Sequence, residues 1–206
     1  MQAPLAHKAL LLCTLLMGCA AGAFSYSGDS LTLNVTLLPG STVAIEGYTN
    51  VNTFTCAYCG DTPVVENAIE TAEDMGEWLL DPQNARIALE VNSFDCGLKQ
   101  MNEDFRELLN APSHPTLQIS LSAVEYLEED LYSLTANLKV AGTSRQVCLP
   151  LRITSESTGI LSARGALSVH LTDFGLEPPT RLMGMVKVKD KIKVIFDLQL
   201  KVTPLP

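Results

Sequence analysis

An all-β fold, an antiparallel β-barrel of about eight strands with one or two short helices, is predicted by three features of this sequence. Short runs of alternating apolar and polar residues recur along the chain, the period of strands with one dry and one wet face. Turn residues divide those runs at spacings that suit a closed antiparallel sheet. Many two-faced strands must then bury their apolar faces together, in a sandwich or a barrel. With 206 residues, 47% hydrophobic and 18% charged, the composition is that of one globular domain. A formal charge of −9 repels phosphate, so nucleic acid is excluded as a partner.

Residues 1–23 stand apart as a secretory signal: His7 and Lys8 precede an apolar run, Ala9 to Gly18, and then small residues. The run is too short to span a bilayer. Two processing sites remain open. Ala21-Gly22-Ala23 fits cleavage before Phe24, which leaves a soluble periplasmic protein. Leu16-Met17-Gly18-Cys19 is similar to a bacterial lipobox, in which Cys19 carries the lipid. The domain proper is 24–206, and it meets the membrane only if Cys19 is lipidated.

Leu31, Leu33, Val35 and Leu37 alternate with polar residues in a first strand, which Pro39-Gly40 turns. Thr42 to Gly47 is a second, and Asn50 to Cys56 continues extended. Thr62-Pro63 followed by acids opens an expected amphipathic helix that Asp81-Pro82 ends. Val65, Ile69, Ala72, Met75 and Leu79 lie on its one side, and its acids form a solvated face. Ile87, Leu89 and Val91 alternate as a strand, and Asp95-Cys96-Gly97 turns it. Asn102 is placed to cap a second helix, with Glu103 and Asp104 in its first turn and Met101, Phe105, Leu108 and Leu109 on its apolar face. Pro112 ends that helix. Leu117, Ile119 and Leu121 begin another strand.

Further strands run from Leu131 to Val140, Val147 to Ile153, Leu161 to Phe174, and Ile192 to Val202. Pro150 marks the second of these as an edge or bulged strand, because proline cannot donate to a ladder. Parity puts Leu117, Ile119, Leu138, Leu149, Val169, Val194 and Phe196 inside, with Phe105 on the helix that joins two strands as a cap would.

No catalytic constellation can be assembled: there is no nucleophile elbow, no phosphate loop, and no two histidines at ligand spacing. No cofactor or metal is expected, and the protein reads as a non-enzyme. Cys56-Ala57-Tyr58-Cys59 has the spacing of a thiol redox pair, which is one alternative function. The other is a solid-core barrel that binds protein partners. Four cysteines remain outside the leader, Cys56, Cys59, Cys96 and Cys148, and they allow three disulfide pairings.

Three blocks carry a resemblance. V-N-S-F-D-C-G-x-K-x-M-N-x-D from Val91, then L-L-N-A, then H-P-T-L-x-I resembles the central signature of the YceI-like family. L-K-V-A-G-T-S-R-Q-V at 138–147 and LTDFGLEPPTRLMGMVKVKDKIKVIFDL at 171–198 are similar to its later blocks, in the family's order. The resemblance implies an extracytoplasmic, lipocalin-like barrel that holds an amphiphilic lipid such as a polyisoprenoid. Phe105, Leu117, Ile119, Leu138, Leu149, Val169, Val194 and Phe196 would then line a lipid tunnel. Within the resembling region Cys56 and Cys96 end neighbouring segments and are the first candidate disulfide. The oligomeric state is open, a homodimer among the options.

Overall fold

The computed structural model of the protein describes residues 31–62, 69–74, 77–81, 85–181 and 184–204. The leader 1–23 with Cys19, the linker 24–30, and Val65 and Met75 of the expected first helix lie outside the described residues.

The chain runs through β1 (Leu31–Leu37), β2 (Thr42–Tyr48), β3 (Thr53–Tyr58), β4 (Ile69–Asp74), β5 (Glu77–Asp81), β6 (Arg86–Glu90) and β7 (Phe94–Asp95). The helix α1 (Lys99–Leu108) follows, then β8 (Thr116–Glu128), β9 (Leu131–Val140), β10 (Thr143–Ser157) and β11 (Ile160–His170). A short hairpin, β12 (Thr180–Arg181) and β13 (Val186–Lys187), precedes β14 (Lys191–Pro204). Among the described residues, twelve strands make one sheet. Eight of them form an antiparallel ring: β1, β4, β5, β8, β9, β10, β11 and β14, which pairs β1 again. The barrel is nearly closed, since the link from β5 to β8 is the single pair Leu80↔Val124.

β14 is the spine of the ring. One edge pairs β11 from Lys191 to Lys201. The other pairs β2 over 193–197 and β1 over 200–204. Such length follows from an apolar residue at every second position, with Ile192, Val194, Phe196, Leu198, Leu200 and Val202 all on the inner face. At the end where β14 begins, β2, β3 and β7 extend the sheet on one side and β6 pairs the start of β8 on the other. We call this the helix end, because α1 follows β7 there.

The expected helix over 62–81 is overturned. Its described residues form β4 and β5, an antiparallel pair in register from Glu70↔Asp81 to Asp74↔Glu77. Ile69, Ala72 and Leu79 fit a helical period, but the free edges of β1 and β8 needed partners, and ring closure outweighs local propensity. The second helix begins earlier than expected. Leu98 occupies the cap position without a side-chain cap bond. Asn102 lies inside the helix and instead accepts the Cys96 N–H at 2.6 Å and donates to Asp95 Oδ1 at 3.0 Å. Val91 falls in a 3-10 turn, Val91–Ser93, and Leu171–Phe174 is a second such turn, not strand. Gly175 closes the latter at φ 72°, a left-handed conformation that glycine adopts freely. Pro150 is on an internal strand, yet the β10–β11 ladder begins only at Leu151, so the proline sits on a stretch paired to β9 alone. Among the described residues no helix is long and apolar enough to cross a membrane.

The buried core gathers at the helix end. Ile45, Leu89, Leu117 and Val169 from the strands meet Val91, Phe94, Leu109, Leu171, Phe174 and Leu176 from the connections.

Candidate functional site

The strands enclose a cavity of about 660 Å³. Its wall is made by alternation: every second residue of β14 from Ile192 to Val202 faces it, a span of roughly 33 Å along the strand. Leu117 and Ile119 of β8, Leu138 of β9, Leu149 of β10, Val169 of β11, and Val194 and Phe196 of β14 all lie on this wall. Phe105 joins them from α1, where it stacks against Phe94 with ring centroids 5.2 Å apart. The structure therefore brings the seven residues picked from strand parity, and Phe105 from the helix, to one lumen.

Two glycines shape the wall. Gly165 pairs Phe196 across the β11–β14 ladder, and a Cβ on Gly165 would lie 2.5 Å from Phe196 Cζ. Gly47 stands in the same relation to Phe54, at 2.1 Å. Each phenyl ring occupies the space over a glycine where a Cβ would stand.

α1 is fixed as a plug at the helix end. Cys56 of β3 is bonded to Cys96, 40 residues on and three residues before the helix, with both sulfurs in the buried core. In the chain-entropy picture closing a loop of that length contributes about 4 kcal/mol. The redox reading of Cys56 with Cys59 is thereby corrected: Cys56 already has a partner, and Cys59 is an exposed free thiol, as is Cys148. Asp95 accepts bonds from the Asn102 amide and the Gly97 N–H, which hold its carboxyl below the usual range.

Apart from Ser41, whose hydroxyl donates to the Leu38 carbonyl, and the tyrosines Tyr58 and Tyr132, the polar wall residues collect at the helix end. Thr49 and Asn52 come from the β2–β3 turn, Asp104 from α1 and Arg181 from β12. Arg181 Nε donates to Asp104 Oδ2 at 2.7 Å and Nη2 donates to Oδ1, while Glu107 lies 3.7 Å from Nη2. The guanidinium, more than any other contact, holds the Asp104 carboxyl low. Among the wall residues only Asn52 and Arg181 are exposed, so the cavity meets solvent beside them. Asp190 accepts from the Thr172 N–H and from its hydroxyl, each at 2.9 Å, and faces His170 Nδ1 at 2.9 Å. Those bonds, the Thr172 N–H first, keep the Asp190 carboxyl low. This pin fixes the 171–174 turn over the barrel.

No local pattern marks Arg181, Thr49 or Asn52 in the sequence, where Asp104 reads only as a helix-start acid. No spacing joins Arg181 to a carboxylate 77 residues away. The arrangement is a dry tube with one charged, hydrogen-bonding rim, suited to a molecule with a long apolar tail and a small polar head.

The YceI-like domain model matches residues 32–200. No curated protein matches the chain. Among solved structures, BcnA of Burkholderia cenocepacia aligns with TM-score 0.59 and 17% identity, over 79% of this chain and 96% of that one. A polyisoprenoid-binding domain from Saccharophagus degradans, implicated in plant cell wall breakdown, aligns with TM-score 0.57 and 16% identity, over 84% of this chain and 98% of that one. At such identities the likeness is one of fold.

Proposed function

This chain belongs to the YceI-like family, and from that premise we propose that it is a non-enzymatic carrier or store for an amphiphile of the polyisoprenoid or fatty-acid type. One observation carries the reading: a barrel of about 660 Å³ whose wall is apolar along its length and polar at one mouth. That volume falls within the range of ligand pockets, about 300–1,000 Å³. Each methylene moved from water into the tube contributes about 0.8 kcal/mol. Thr49, Asn52, Asp104 and Arg181 would meet the head group. The likeness to a polyisoprenoid-binding domain supports this class of ligand. The charged, apolar and small segments of residues 1–23 favour an extracytoplasmic location, as a periplasmic chain starting at Phe24 or a lipoprotein anchored through Cys19. Intact mass of protein from its native host separates the two, and an unprocessed Met1 would exclude both.

Native mass spectrometry of freshly purified protein tests the carrier reading directly, and a copurifying amphiphile is the expected result. Ile119→Asn and Phe196→Gln then ask whether the wall is tunnel or packing. Both should weaken rebinding of an amphiphile more than they lower the melting temperature of delipidated protein. If delipidated wild type rebinds no amphiphile and both variants fail to fold, the barrel is a packed structure and the carrier reading is wrong.

A further inference from the structure

Two apolar side chains protrude together beside the cavity mouth. Val51, on the β2–β3 turn, and Met185, on the β12–β13 turn, are each 67% exposed, the highest value for a large hydrophobic residue among those described. Folding does not hide them, yet it holds their turns in place. Asn50 Nδ2 donates to the Met185 carbonyl at 2.8 Å, the Lys187 N–H donates to Asn50 Oδ1 at 2.8 Å, and the Asn50 N–H donates to the Lys187 carbonyl at 3.1 Å. The two tips thus form one rigid projection. Neither Val51 nor Met185 lines the cavity, but their neighbours do: Asn52 follows Val51, and Arg181 stands at the base of the Met185 turn.

A row of cations adjoins the projection. Lys187, Lys189 and Lys191 are exposed and alternate with Val188 and Ile192, which face the cavity. Among the described residues none of the three has a carboxylate within 4 Å, whereas Lys193, further along, is paired with Glu46 at 3.9 Å. Of the acids on the adjoining segments, Asp190 is bonded to Thr172 and faces His170, and Asp104 and Glu107 meet Arg181, while Asp173 and Glu177 are exposed on the 171–179 connection. The whole chain carries −9 and should be repelled by an anionic surface. At physiological salt, however, charges more than about 8 Å away are largely screened, so the local row decides the sign.

We infer that the paired tips dock the barrel mouth-first on an anionic lipid bilayer, with Val51 and Met185 at the acyl boundary and Lys187, Lys189 and Lys191 among the lipid phosphates. The lysine stems suit that place, since they lie along apolar surface while their charges reach the head groups. A protein partner fits less well, because a stable contact buries about 800 Å² on each side and two protruding tips offer no such face. The consequence for cargo rests on the carrier reading: a tail could pass between bilayer and cavity without crossing water. The docking itself does not depend on it.

The test uses the delipidated full chain with vesicles of phosphatidylethanolamine and phosphatidylglycerol, and with vesicles of phosphatidylcholine alone, read by flotation. Wild type should float with the anionic vesicles, float far less with the neutral ones, and detach as salt rises from about 0.1 to about 0.5 M. Val51→Ser with Met185→Ser should weaken binding roughly tenfold or more without changing charge. Replacing Lys187, Lys189 and Lys191 by Gln should remove the salt dependence. Both variants should keep wild-type uptake of a fluorescent long-chain amphiphile from solution. Uptake without any vesicle binding overturns the docking and leaves the carrier reading standing; vesicle binding without uptake does the reverse. Equal binding by wild type and the serine variant also overturns it. So does a wild-type dimer that the serine variant loses, since the tips would then belong to a second copy.

Discussion

The two ends of the barrel share the long strands β8 to β11 and β14 and the same residue types, yet they are packed differently. At the helix end the inward residues Leu89, Leu117 and Val169 are buried, covered by α1, the 171–174 turn and the Cys56–Cys96 bond. Towards the opposite end Leu37, Val124 and Ala163 are buried, but Val35, Ile153, Leu161, Leu200 and Val202 beside them face the same lumen and are only half-buried. An inward apolar side chain that is only half-buried is facing space. The difference teaches that burial along a strand is set by what plugs the tube and not by the strand's own pattern. Stability is concentrated where the plug sits, and capacity lies in the remainder.

The sharpest way to break this contrast is to free the plug. Cys56→Ser with Cys96→Ser should cost about 4 kcal/mol, a fall in melting temperature of roughly 8–16 °C for a domain of this size. Cys59→Ser should leave both melting and amphiphile uptake unchanged, as befits an exposed free thiol. A redox function would instead show as loss of activity from either cysteine. Next in size is a paired truncation. Leu89→Ala should cost about 2–5 kcal/mol because it opens a hole in packed core. Leu200→Ala, already beside space, should cost only about 1 kcal/mol in delipidated protein. Equal losses by thermal melting would mean the far end is as solid as the near one.

The sequence revealed the wall far better than the rim. β14 was legible because every second residue from Ile192 to Val202 is apolar, and parity alone then assigns Val194 and Phe196 to the lumen. Leu117, Ile119, Leu138, Leu149 and Val169 follow for the same reason, since antiparallel register preserves parity between strands. The β4–β5 pair was not legible, because Ile69, Ala72 and Leu79 satisfy a helix as well as a strand. The start of α1 was misplaced because Asn102 is a good cap in isolation and is used instead on the Cys96 N–H. Arg181 and Asp104 are joined only by the tertiary fold, so nothing local announces the mouth.

A smaller effect on stability, but a direct one on capacity, is expected at Gly165. Its missing side chain lets the Phe196 ring lie against the wall. Gly165→Ala should push that ring into the lumen and reduce amphiphile uptake several-fold. The added methyl also crowds the Pro150 carbonyl, at 2.9 Å, so roughly 1–3 kcal/mol of stability should be lost. Phe196→Leu in the same background should restore uptake. If Gly165→Ala binds as wild type does, the ring is not the local limit on the tube.

Acid should have the smallest effect, and it should reach the helix end first. Asp95, Asp104 and Asp190 hold that end's connections, and each has its carboxyl below the usual range, through Asn102, Arg181 and Thr172 respectively as the leading causes. Asp130, bonded to Arg152, is the one counterpart at the far end among the described residues with such a shift. A group whose folded pKa is depressed binds fewer protons when folded, so its contribution is complete above its unfolded pKa of about 4 and is lost as pH falls through the lower folded value. Three such groups on the plug against one on a sheet hairpin predict unequal loosening. Amide exchange over 95–104 and 171–190 should accelerate below about pH 4 before exchange in β14 does. Asp104→Asn should show faster exchange in α1 already at neutral pH and a smaller change on acidification, because the Arg181 contact no longer depends on ionisation. Uniform acceleration at both ends, or an unchanged acid response in Asp104→Asn, would show that the plug is held by its apolar face and disulfide alone.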